Sequence, residues 1–380
     1  MGEIILKNLK DIEDFVRGVT LFGVGGGGDP ERGKNLLLKN LGSNKKLTWE
    51  NIDEVEIDWC ISVFGMGSSS SKTSEILKEA QKLGLNIEIT ENPLINAMEE
   101  LENFTNITAD AIVPVELGGG NSTRPLDVAI NKNKIYIDGD YAGRAVPEII
   151  QSTPNLFNFK ITPIVAVDYY GNITIIKDVV NNLVAEKLGK LIAQAPYGNS
   201  GYGSAGESGF LLKCEDVKKA IIKGTLSESY MVGKSIREAR ENNKDPIDAI
   251  IEKTEGYLLF KGKVKNKMWE NRDGYMIGYH EIEGIKEFQY NIFKIWFKNE
   301  NHITWLNNEP YVMSPDLIMV VRLKDGQPIP NNLLKEGDEV AVLGKRANKI
   351  FRDENGLRVL GPKHFGFDFN YIPIEKIMEE

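Results

Sequence analysis

The chain is organised around two stretches, Val113-Pro-Val-Glu-Leu-Gly-Gly-Gly-Asn-Ser-Thr-Arg-Pro-Leu-Asp127 and Ile135-Tyr-Ile-Asp-Gly-Asp-Tyr-Ala-Gly-Arg-Ala-Val-Pro-Glu148. The apolar runs at 111–115 and 134–137 each end in a carboxylate that is followed by glycine. Buried parallel strands deliver polar residues to the loops at their carboxyl ends in this way. The pattern therefore predicts that Glu116, Asp138 and Asp140 share one rim of a sheet.

Residues 121–130 have the composition of a short helix, with Asn121 or Ser122 as its N-cap and Pro125 in its first turn. Strand, helix and strand then form a βαβ unit. Its loops hold three carboxylates and Arg144. A unit that served only for packing would not need so many charged groups. We take this unit as the active-site hypothesis, with Glu116, Asp138, Asp140 and Arg144 as the candidate catalytic residues.

Length and composition limit the class of protein. The 380 residues carry a net charge of −9 with no dominant basic cluster, which argues against a nucleic-acid partner. No apolar run approaches the roughly 20 residues of a membrane helix, and the N-terminus lacks a signal-peptide pattern. Two cysteines far apart indicate neither a disulfide framework nor a cysteine zinc site. We expect a cytoplasmic protein without a membrane segment, divided into domains at 1–160 and 161–380.

Glycine-rich turns recur before predicted helices. Gly25, Gly26, Gly27 and Gly28 precede Asp29-Pro30, an N-cap followed by proline, so the glycines lie at a helix N-terminus where anions bind. The formal resemblances to dinucleotide and phosphate motifs fail at required positions, so we predict that nucleotides do not bind. A second turn contains Gly67, Ser68 and Ser69, which either hold a polar group of a substrate or cap a helix. We expect the loops 25–28, 65–67 and 118–120 to converge on one pocket.

The second half of the chain has a different sequence pattern. A strand, turn and strand are predicted within 161–176, and a helix over 179–193. The Gly-, Ser- and Tyr-rich segment 196–209 is predicted to be a long loop, with a lid among its alternatives. From about residue 256 to 350, short strands with regular turns predict a small antiparallel barrel or sandwich. The three histidines share no metal-ligand spacing and are interpreted as structural.

In combination, these motifs resemble the S-methyl thiohydantoin desulfurase-like family. The resemblance rests on Gly25-Gly-Gly-Gly-Asp-Pro30, Glu116-Leu-Gly-Gly-Gly-Asn121, Asp138-Gly-Asp-Tyr-Ala-Gly-Arg-Ala-Val-Pro-Glu148, Asn299-Glu-Asn301 and Ser314-Pro-Asp-Leu-Ile318, with Gly139 where alanine is expected. It implies a three-layer α/β/α N-terminal domain followed by an α+β part that contains a small β-barrel. It also implies cyclic ureides, thiohydantoins or related ring amides as substrates, and a hydantoinase- or oxoprolinase-type partner. The candidate substrate-binding residues are Gly25, Gly26, Gly27, Gly28, Gly67, Ser68, Ser69, Gly118, Gly119, Gly120, Asn121, Glu148, Asn299 and Glu300.

Two functional hypotheses follow. The first is an enzyme that hydrolyses or desulfurises a hydantoin-like ring, with Glu116 or Asp138 as general base and glycine N–H groups as the oxyanion site. Arg144 would keep a carboxylate ionised or bind a carbonyl oxygen of the substrate. The alternative is that Asp138, Arg144 and Glu148 form a structural ion-pair network. No cofactor is predicted, although a divalent metal held by Glu116, Asp138 and Asp140 remains open. The second hypothesis is a non-catalytic ligand-binding subunit of a hydantoinase-type complex; in either case we expect a homo-oligomer.

Overall fold

A computed structural model describes residues 4–66, 78, 81–85, 92–168, 170–194 and 205–379. Within these ranges the α-helices are α1 (Leu9–Phe22), α2 (Pro30–Gly42), α3 (Pro93–Thr105), α4 (Thr123–Asn131), α5 (Thr153–Leu156), α6 (Asn182–Gln194), α7 (Cys214–Ala220), α8 (Thr225–Glu241), α9 (Pro246–Thr254), α10 (Lys349–Arg352), α11 (Glu354–Leu360) and α12 (Ile374–Glu379). The strands are β1 (Trp59–Met66), β2 (Ala111–Ile112), β3 (Ile135–Tyr136), β4 (Gly139–Asp140), β5 (Ile164–Val167), β6 (Ile173–Ile176), β7 (Ala205–Lys213), β8 (Ile222–Lys223), β9 (Tyr257–Arg272), β10 (Tyr275–Gly284), β11 (Ile292–Lys298), β12 (Glu300–Leu306), β13 (Glu309–Met313), β14 (Leu317–Arg322) and β15 (Glu339–Lys345). In this part of the chain, no helix is long and apolar enough to cross a membrane.

The first sheet has six strands in the order β3-β2-β1-β7-β5-β6. Strands β1, β2 and β3 are parallel, so β2, α4 and β3 form the predicted βαβ unit. Strands β7, β5 and β6 complete the sheet in antiparallel pairs. The proposed division at residue 160 therefore falls between strands of one sheet.

Helices cover both faces of this sheet. Apolar residues of α1, α2, α3, α4 and α8 pack on one face, together with residues of β14 and β15. Residues of α6 and α7 pack on the other face. The three-layer α/β/α arrangement expected from the resemblance is confirmed.

Strand β7 corrects the prediction of a loop over 196–209. Residues 196–204 lie outside the described residues, but Ala205–Lys213 is a strand that pairs with β1 on one side and β5 on the other. Its composition, with Gly206, Ser208 and Gly209, is typical of loops. Pairing on both edges decides the conformation here, because strand propensity depends strongly on context.

Helix α1 continues through Gly18, although glycine is unfavourable in the middle of a helix. A Cβ atom at Gly18 would lie 1.7 Å from the carbonyl oxygen of Ser229 in α8, and one at Gly233 would lie 1.8 Å from the carbonyl oxygen of Asp14. These glycines let the two helices approach backbone to backbone. The contact with a distant segment, rather than a chain break, accounts for Gly18.

The second sheet is antiparallel, with seven strands in the order β13-β12-β11-β10-β9-β15-β14. It curls into a half-barrel, and the side-chain amide of Asn301 in β12 donates to the carbonyl oxygen of Ile318 in β14 at 3.0 Å. Phe260, Phe293 and Ile295 fill its interior. The predicted barrel-like region is confirmed as a half-barrel.

Candidate active site

Two glycine loops stack directly against each other. The carbonyl oxygen of Gly27 accepts hydrogen bonds from the backbone amides of Gly120 at 2.9 Å and Asn121 at 3.0 Å. Gly27 has a φ of 83°, and a Cβ atom there would lie 2.6 Å from the Cα of Gly118. No other residue allows this conformation and this approach together. The loop 25–28 therefore fixes the position of the loop 118–120.

Several amides proposed for an oxyanion site bind within the protein. The amide of Gly26 donates to the Gly23 carbonyl, and that of Gly118 donates to the Ser122 hydroxyl. The Gly120 amide donates to Gly27, as described above. These three donors hold the two loops together and are not free for a substrate.

A cleft lies beside the second of these loops. Its empty volume, with the open mouth included, is about 250 Å³. It is lined by Phe64, Gly65, Leu94, Val115, Glu116, Gly120, Asn121, Arg124 and Pro125. Gly65 and Gly120 thus share one cleft, and the Cα of Gly28 lies behind Gly120. Gly67, Ser68 and Ser69, predicted to bind substrate here, lie outside the described residues.

Glu116 is the carboxyl group of this cleft. Its Oε1 accepts a hydrogen bond from the Asn121 side-chain amide, and its Oε2 accepts one from the Val146 backbone amide, both at 2.5 Å. Burial and then the charge of Glu300 raise the pKa of Glu116 well above its usual value, against the opposing effect of the Val146 hydrogen bond. The loop therefore presents an acid that holds its proton far more tightly than an exposed glutamate does.

Glu300 is the second carboxyl group of the site. The backbone amide of Asn301 donates to the backbone carbonyl of Val24 at 2.8 Å. This hydrogen bond places the start of β12 against the first glycine loop. A Cβ atom at Gly26 would lie 1.9 Å from Oε1 of Glu300, whose Oε2 has no hydrogen-bond partner among the described residues. Burial raises the pKa of Glu300 to about 8, although Arg144 and Lys190 lower it. Both Glu116 and Glu300 therefore hold their protons more tightly than exposed glutamates do, and the charge of Glu300 contributes to this effect at Glu116.

Asp138 and Asp140 have other partners. Both oxygens of Asp138 bind Ser227, one accepting from its backbone amide at 3.0 Å and the other from its hydroxyl at 2.5 Å. Asp140 accepts from the amides of Ala142 and Gly143, and burial raises its pKa to about 7. Among the described residues, no three His, Cys, Asp or Glu side chains are placed to hold a metal ion. The proposed metal triad of Glu116, Asp138 and Asp140 is therefore not assembled, because Asp138 faces α8.

Arg144 binds backbone oxygens instead of a carboxylate. Its guanidinium donates to the carbonyls of Asn301 at 2.9 Å, Pro315 at 3.2 Å and Ala145 at 3.0 Å. Burial lowers the pKa of Arg144 to about 10, while Glu300 and Asp316 oppose that effect. The structural alternative, an ion-pair network of Asp138, Arg144 and Glu148, does not form. Arg144 joins the 138–148 loop to the half-barrel.

Glu148 and Asn299 form structural contacts around the site. The carboxylate of Glu148 binds the Lys298 ammonium and accepts from Nε2 of His364 at 2.9 Å. Burial would raise the pKa of Glu148, but these two partners outweigh it and lower the pKa to about 2. The side-chain oxygen of Asn299 accepts from the backbone amide of Met276 at 2.9 Å and thereby ties the turn between β11 and β12 to β10.

Two buried ionisable residues were not singled out by any sequence pattern. Lys190 lies in α6 and Glu207 in β7, and both are buried. Lys190 occupies one position of an ordinary amphipathic helix, while Glu207 lies in a Gly- and Ser-rich segment that predicted a loop. Only the pairing of β7 in the middle of the sheet brings Glu207 into the core.

Two family models match most of the chain. Residues 10–178 match the family model "S-Me-THD-like, N-terminal domain", and residues 184–374 match "S-Me-THD-like, C-terminal domain". The chain belongs to the S-Me-THD-like family. The resemblance of the glycine quartet and the Glu116 and Asp138 motifs to that family is thereby confirmed.

A solved crystal structure shares the fold of this S-Me-THD-like protein. It is the X-ray crystal structure of a protein from Chromobacterium violaceum, with a TM-score of 0.74 and 18% sequence identity. The match covers 98% of this chain and 100% of the other. No curated protein matches the chain. At this identity the likeness concerns the fold alone.

Proposed function

We propose that this S-Me-THD-like protein hydrolyses the exocyclic C–S bond of an S-methyl thiohydantoin-type ring. The proposal rests on the environment of Glu116. This carboxyl group lies in a small cleft with apolar walls, and its pKa is strongly raised. The side chains of Phe64, Leu94 and Pro125 suit a flat ring with a methylthio group. The Asn121 amide and Glu116 supply the few polar groups that orient a small ligand.

The chemistry uses Glu116 as a proton donor and acceptor. Glu116 protonates the ring nitrogen next to the sulfur-bearing carbon, and water adds to that carbon. The Glu116 carboxylate then takes a proton from the added water. The C–S bond breaks, the remaining hydroxyl becomes the ring carbonyl, and its proton leaves with the sulfur. One water is consumed, and the products are a hydantoin and methanethiol.

The raised pKa fits this role. A group that donates and recovers a proton works best when its pKa is near the working pH. An exposed glutamate would be ionised at neutral pH and could not protonate a ring nitrogen. Burial and the charge of Glu300 raise the pKa of Glu116 and so favour its protonated form.

Turnover in ¹⁸O-labelled water tests the proposal. We expect methanethiol and hydantoin in equal amounts, with the label in the new ring carbonyl. A ring-opened product with the methylthio group retained would contradict C–S cleavage and indicate C–N hydrolysis. Binding without any product would favour the ligand-binding subunit.

A hydantoinase- or oxoprolinase-type partner and a homo-oligomer are further predictions. Purification of the native protein with and without a hydantoinase-type protein distinguishes an independent enzyme from a subunit of a complex. Full turnover by the isolated chain agrees with an independent enzyme. Turnover that appears only with the partner would indicate a subunit of a complex.

A further inference from the structure

Arg124 brings a positive charge to the wall of the cleft. It lines the cleft together with Glu116, Asn121 and the apolar side chains described above. Among the described residues that line the cleft, Arg124 is the one with a basic side chain. The chain as a whole carries a net charge of −9, so this cation is not part of a generally basic surface.

The local backbone places Arg124 beside Asn121. The Ser122 amide donates to the Gly118 carbonyl at 3.0 Å, and the Arg124 amide donates to the Gly120 carbonyl at 3.0 Å. Hydrogen bonds of this spacing show that helical turns begin before α4 itself. Side chains three residues apart on a helix are neighbours, with Cβ atoms roughly 5–6 Å apart. Arg124 is therefore the helical neighbour of Asn121.

The Asn121 side chain shows which way this face of the helix points. Its amide donates to Oε1 of Glu116 at 2.5 Å. Pro125, four residues after Asn121 and thus on the same face, also lines the cleft. The wall therefore offers the Glu116 carboxyl group and, about one helical turn beyond Asn121, an arginine.

The net charge of this wall depends on Glu116. Burial and then the charge of Glu300 raise the pKa of Glu116, so its carboxyl group is uncharged in the form that the proposed reaction requires. Glu116 then does not cancel the positive charge of Arg124. The helix dipole adds partial positive charge here, because Arg124 lies in the first turn of α4. A ligand with a negatively charged group suits this wall better than a neutral ligand does.

A guanidinium group is well suited to hold a carboxylate of a ligand. It carries five N–H donors in a planar fork, so it can bind a carboxylate through two parallel hydrogen bonds in addition to contacts within the protein. Arg124 is half-buried, where water and salt screen such a pair less than at the open surface. The empty volume of about 250 Å³ includes the open mouth, so a small ring with a short substituent fits and a long substituent does not.

We propose that Arg124 is a specificity-determining residue of the cleft, and that the ring substrate carries a short substituent that ends in a carboxylate, such as acetate or propionate. This inference rests on the proposed function, from which the ring itself is taken. The carboxylate pairs with the Arg124 guanidinium, while the ring lies against the apolar wall with its sulfur-bearing carbon at Glu116. Arg124 binds and orients the ring and exchanges no proton with it.

Calorimetric titration of the full-length protein with two hydantoins tests this without turnover. The probes are hydantoin-5-acetic acid and its amide, which have nearly the same size and differ in charge. We expect the wild type to bind the acid at least roughly tenfold more tightly, the lower end of the effect of a hydrogen bond to a charged group. Equal affinities for the acid and the amide would overturn the inference.

Three variants assign the preference to Arg124. Arg124→Gln should abolish the preference for the acid, and Arg124→Lys should keep part of it because the charge remains while the planar fork is lost. Lys39→Met removes the same charge from an exposed position in α2 and should keep the full preference. A preference that survives in Arg124→Gln would contradict the role of Arg124.

A third ligand covers the case in which Arg124→Gln does not fold. A hydantoin with an aminoethyl substituent carries a positive charge, so the wild type should bind it more weakly than the neutral amide. Arg124→Lys then serves as the variant, with a reduced preference for the acid. An aminoethyl ring that binds as tightly as the acid would overturn the inference.

Turnover separates this inference from the proposed function. In Arg124→Gln the KM for an acid-bearing S-methyl thiohydantoin should rise roughly tenfold or more with kcat largely unchanged, because Arg124 binds the ground state and the transition state alike. Equal kcat/KM for acid- and amide-bearing rings in the wild type would support C–S cleavage and overturn the role of Arg124. Arg124-dependent binding of the acid without methanethiol release from any ring would support the ligand class and refute the proposed reaction. Failure of every ring to bind would contradict both.

Discussion

The Arg144 guanidinium donates to the backbone carbonyl oxygen of Asn301 at 2.9 Å, directly after Glu300 in the chain. The Leu117 amide donates to the Arg144 carbonyl oxygen at 3.3 Å, directly after Glu116. One buried residue therefore connects the backbone beside both carboxyl groups of the site. Its role is to hold Glu116 and Glu300 in register across the two halves of the protein.

Replacing Arg144 should destabilise the protein. Arg144→Met leaves several buried carbonyls without donors, so we expect the free energy of unfolding to fall by about 3 kcal/mol or more. Urea denaturation measures this, with Arg346→Met as control because the Arg346 side chain is 53% exposed. Unchanged stability combined with lost turnover would instead place Arg144 in contact with the substrate.

Gly27→Ala should disrupt the contact between the glycine loops. We expect a loss of about 3 kcal/mol in unfolding free energy, roughly 1 from left-handed strain and roughly 2 from overpacking against Gly118. Gly366 has a φ of 87° but nothing within 4 Å of an added Cβ, so Gly366→Ala should show only the strain of about 1 kcal/mol. Equal losses in the two variants would argue against the close backbone contact.

The stability of the protein should fall as the pH rises from about 5 to about 8. Burial raises the pKa of Asp140 to about 7 and those of Glu207 and Glu300 to about 8. Such groups bind protons more tightly in the folded state, so their contribution is present below the unfolded pKa of about 4 and is lost through the folded values. Melting temperatures across this range test the prediction.

Glu207→Gln should make this pH dependence shallower, whereas Glu283→Gln, an exposed position in β10, should not. Glu148 acts in the opposite sense at acid pH. Its pKa is lowered to about 2, so its contribution is present above the unfolded value and is lost as the pH falls through the folded one. A melting temperature that rises steadily from pH 5 to pH 8 is the result that would refute the raised pKa values.

Asp138→Asn should lower stability and leave turnover largely intact. The Ser227 hydroxyl donates to Asp138 and accepts from the Trp49 indole at 2.9 Å, so an amide nitrogen facing that hydroxyl loses a hydrogen bond. We expect a loss of about 1–3 kcal/mol. A double-mutant cycle with Ser227→Ala should show strong coupling. Loss of turnover without a change in stability would restore Asp138 as a candidate base.

Local signals predicted the parts of the fold that depend on local structure. The apolar runs around Glu116 and Asp138 and the helical composition of the segment between them identified the βαβ unit. Asp29 caps α2 as predicted, accepting hydrogen bonds from the amides of Glu31 and Arg32. In each case the residues that decide the conformation are adjacent in sequence.

Contacts between distant segments decided the rest. Glu300 was predicted to bind substrate, but its effect on the pKa of Glu116 depends on the half-barrel docking against the first glycine loop. Asp138 turns away from the cleft because Ser227 supplies two donors. Glu207 enters the core because β7 pairs on both edges, which its Gly- and Ser-rich sequence does not indicate.

In the proposed reaction Glu116 is the proton-transfer group of the cleft, and Glu116→Gln is the decisive variant for this role. The glutamine keeps the shape, and its oxygen can still accept from the Val146 amide while the Asn121 amide turns over to accept from the new nitrogen. We therefore expect turnover of an S-methyl thiohydantoin to fall by at least ~10²-fold, with a melting temperature equal to or above that of the wild type. Near-normal methanethiol release together with a lowered melting temperature would exclude this role and show that Glu116 is a structural residue.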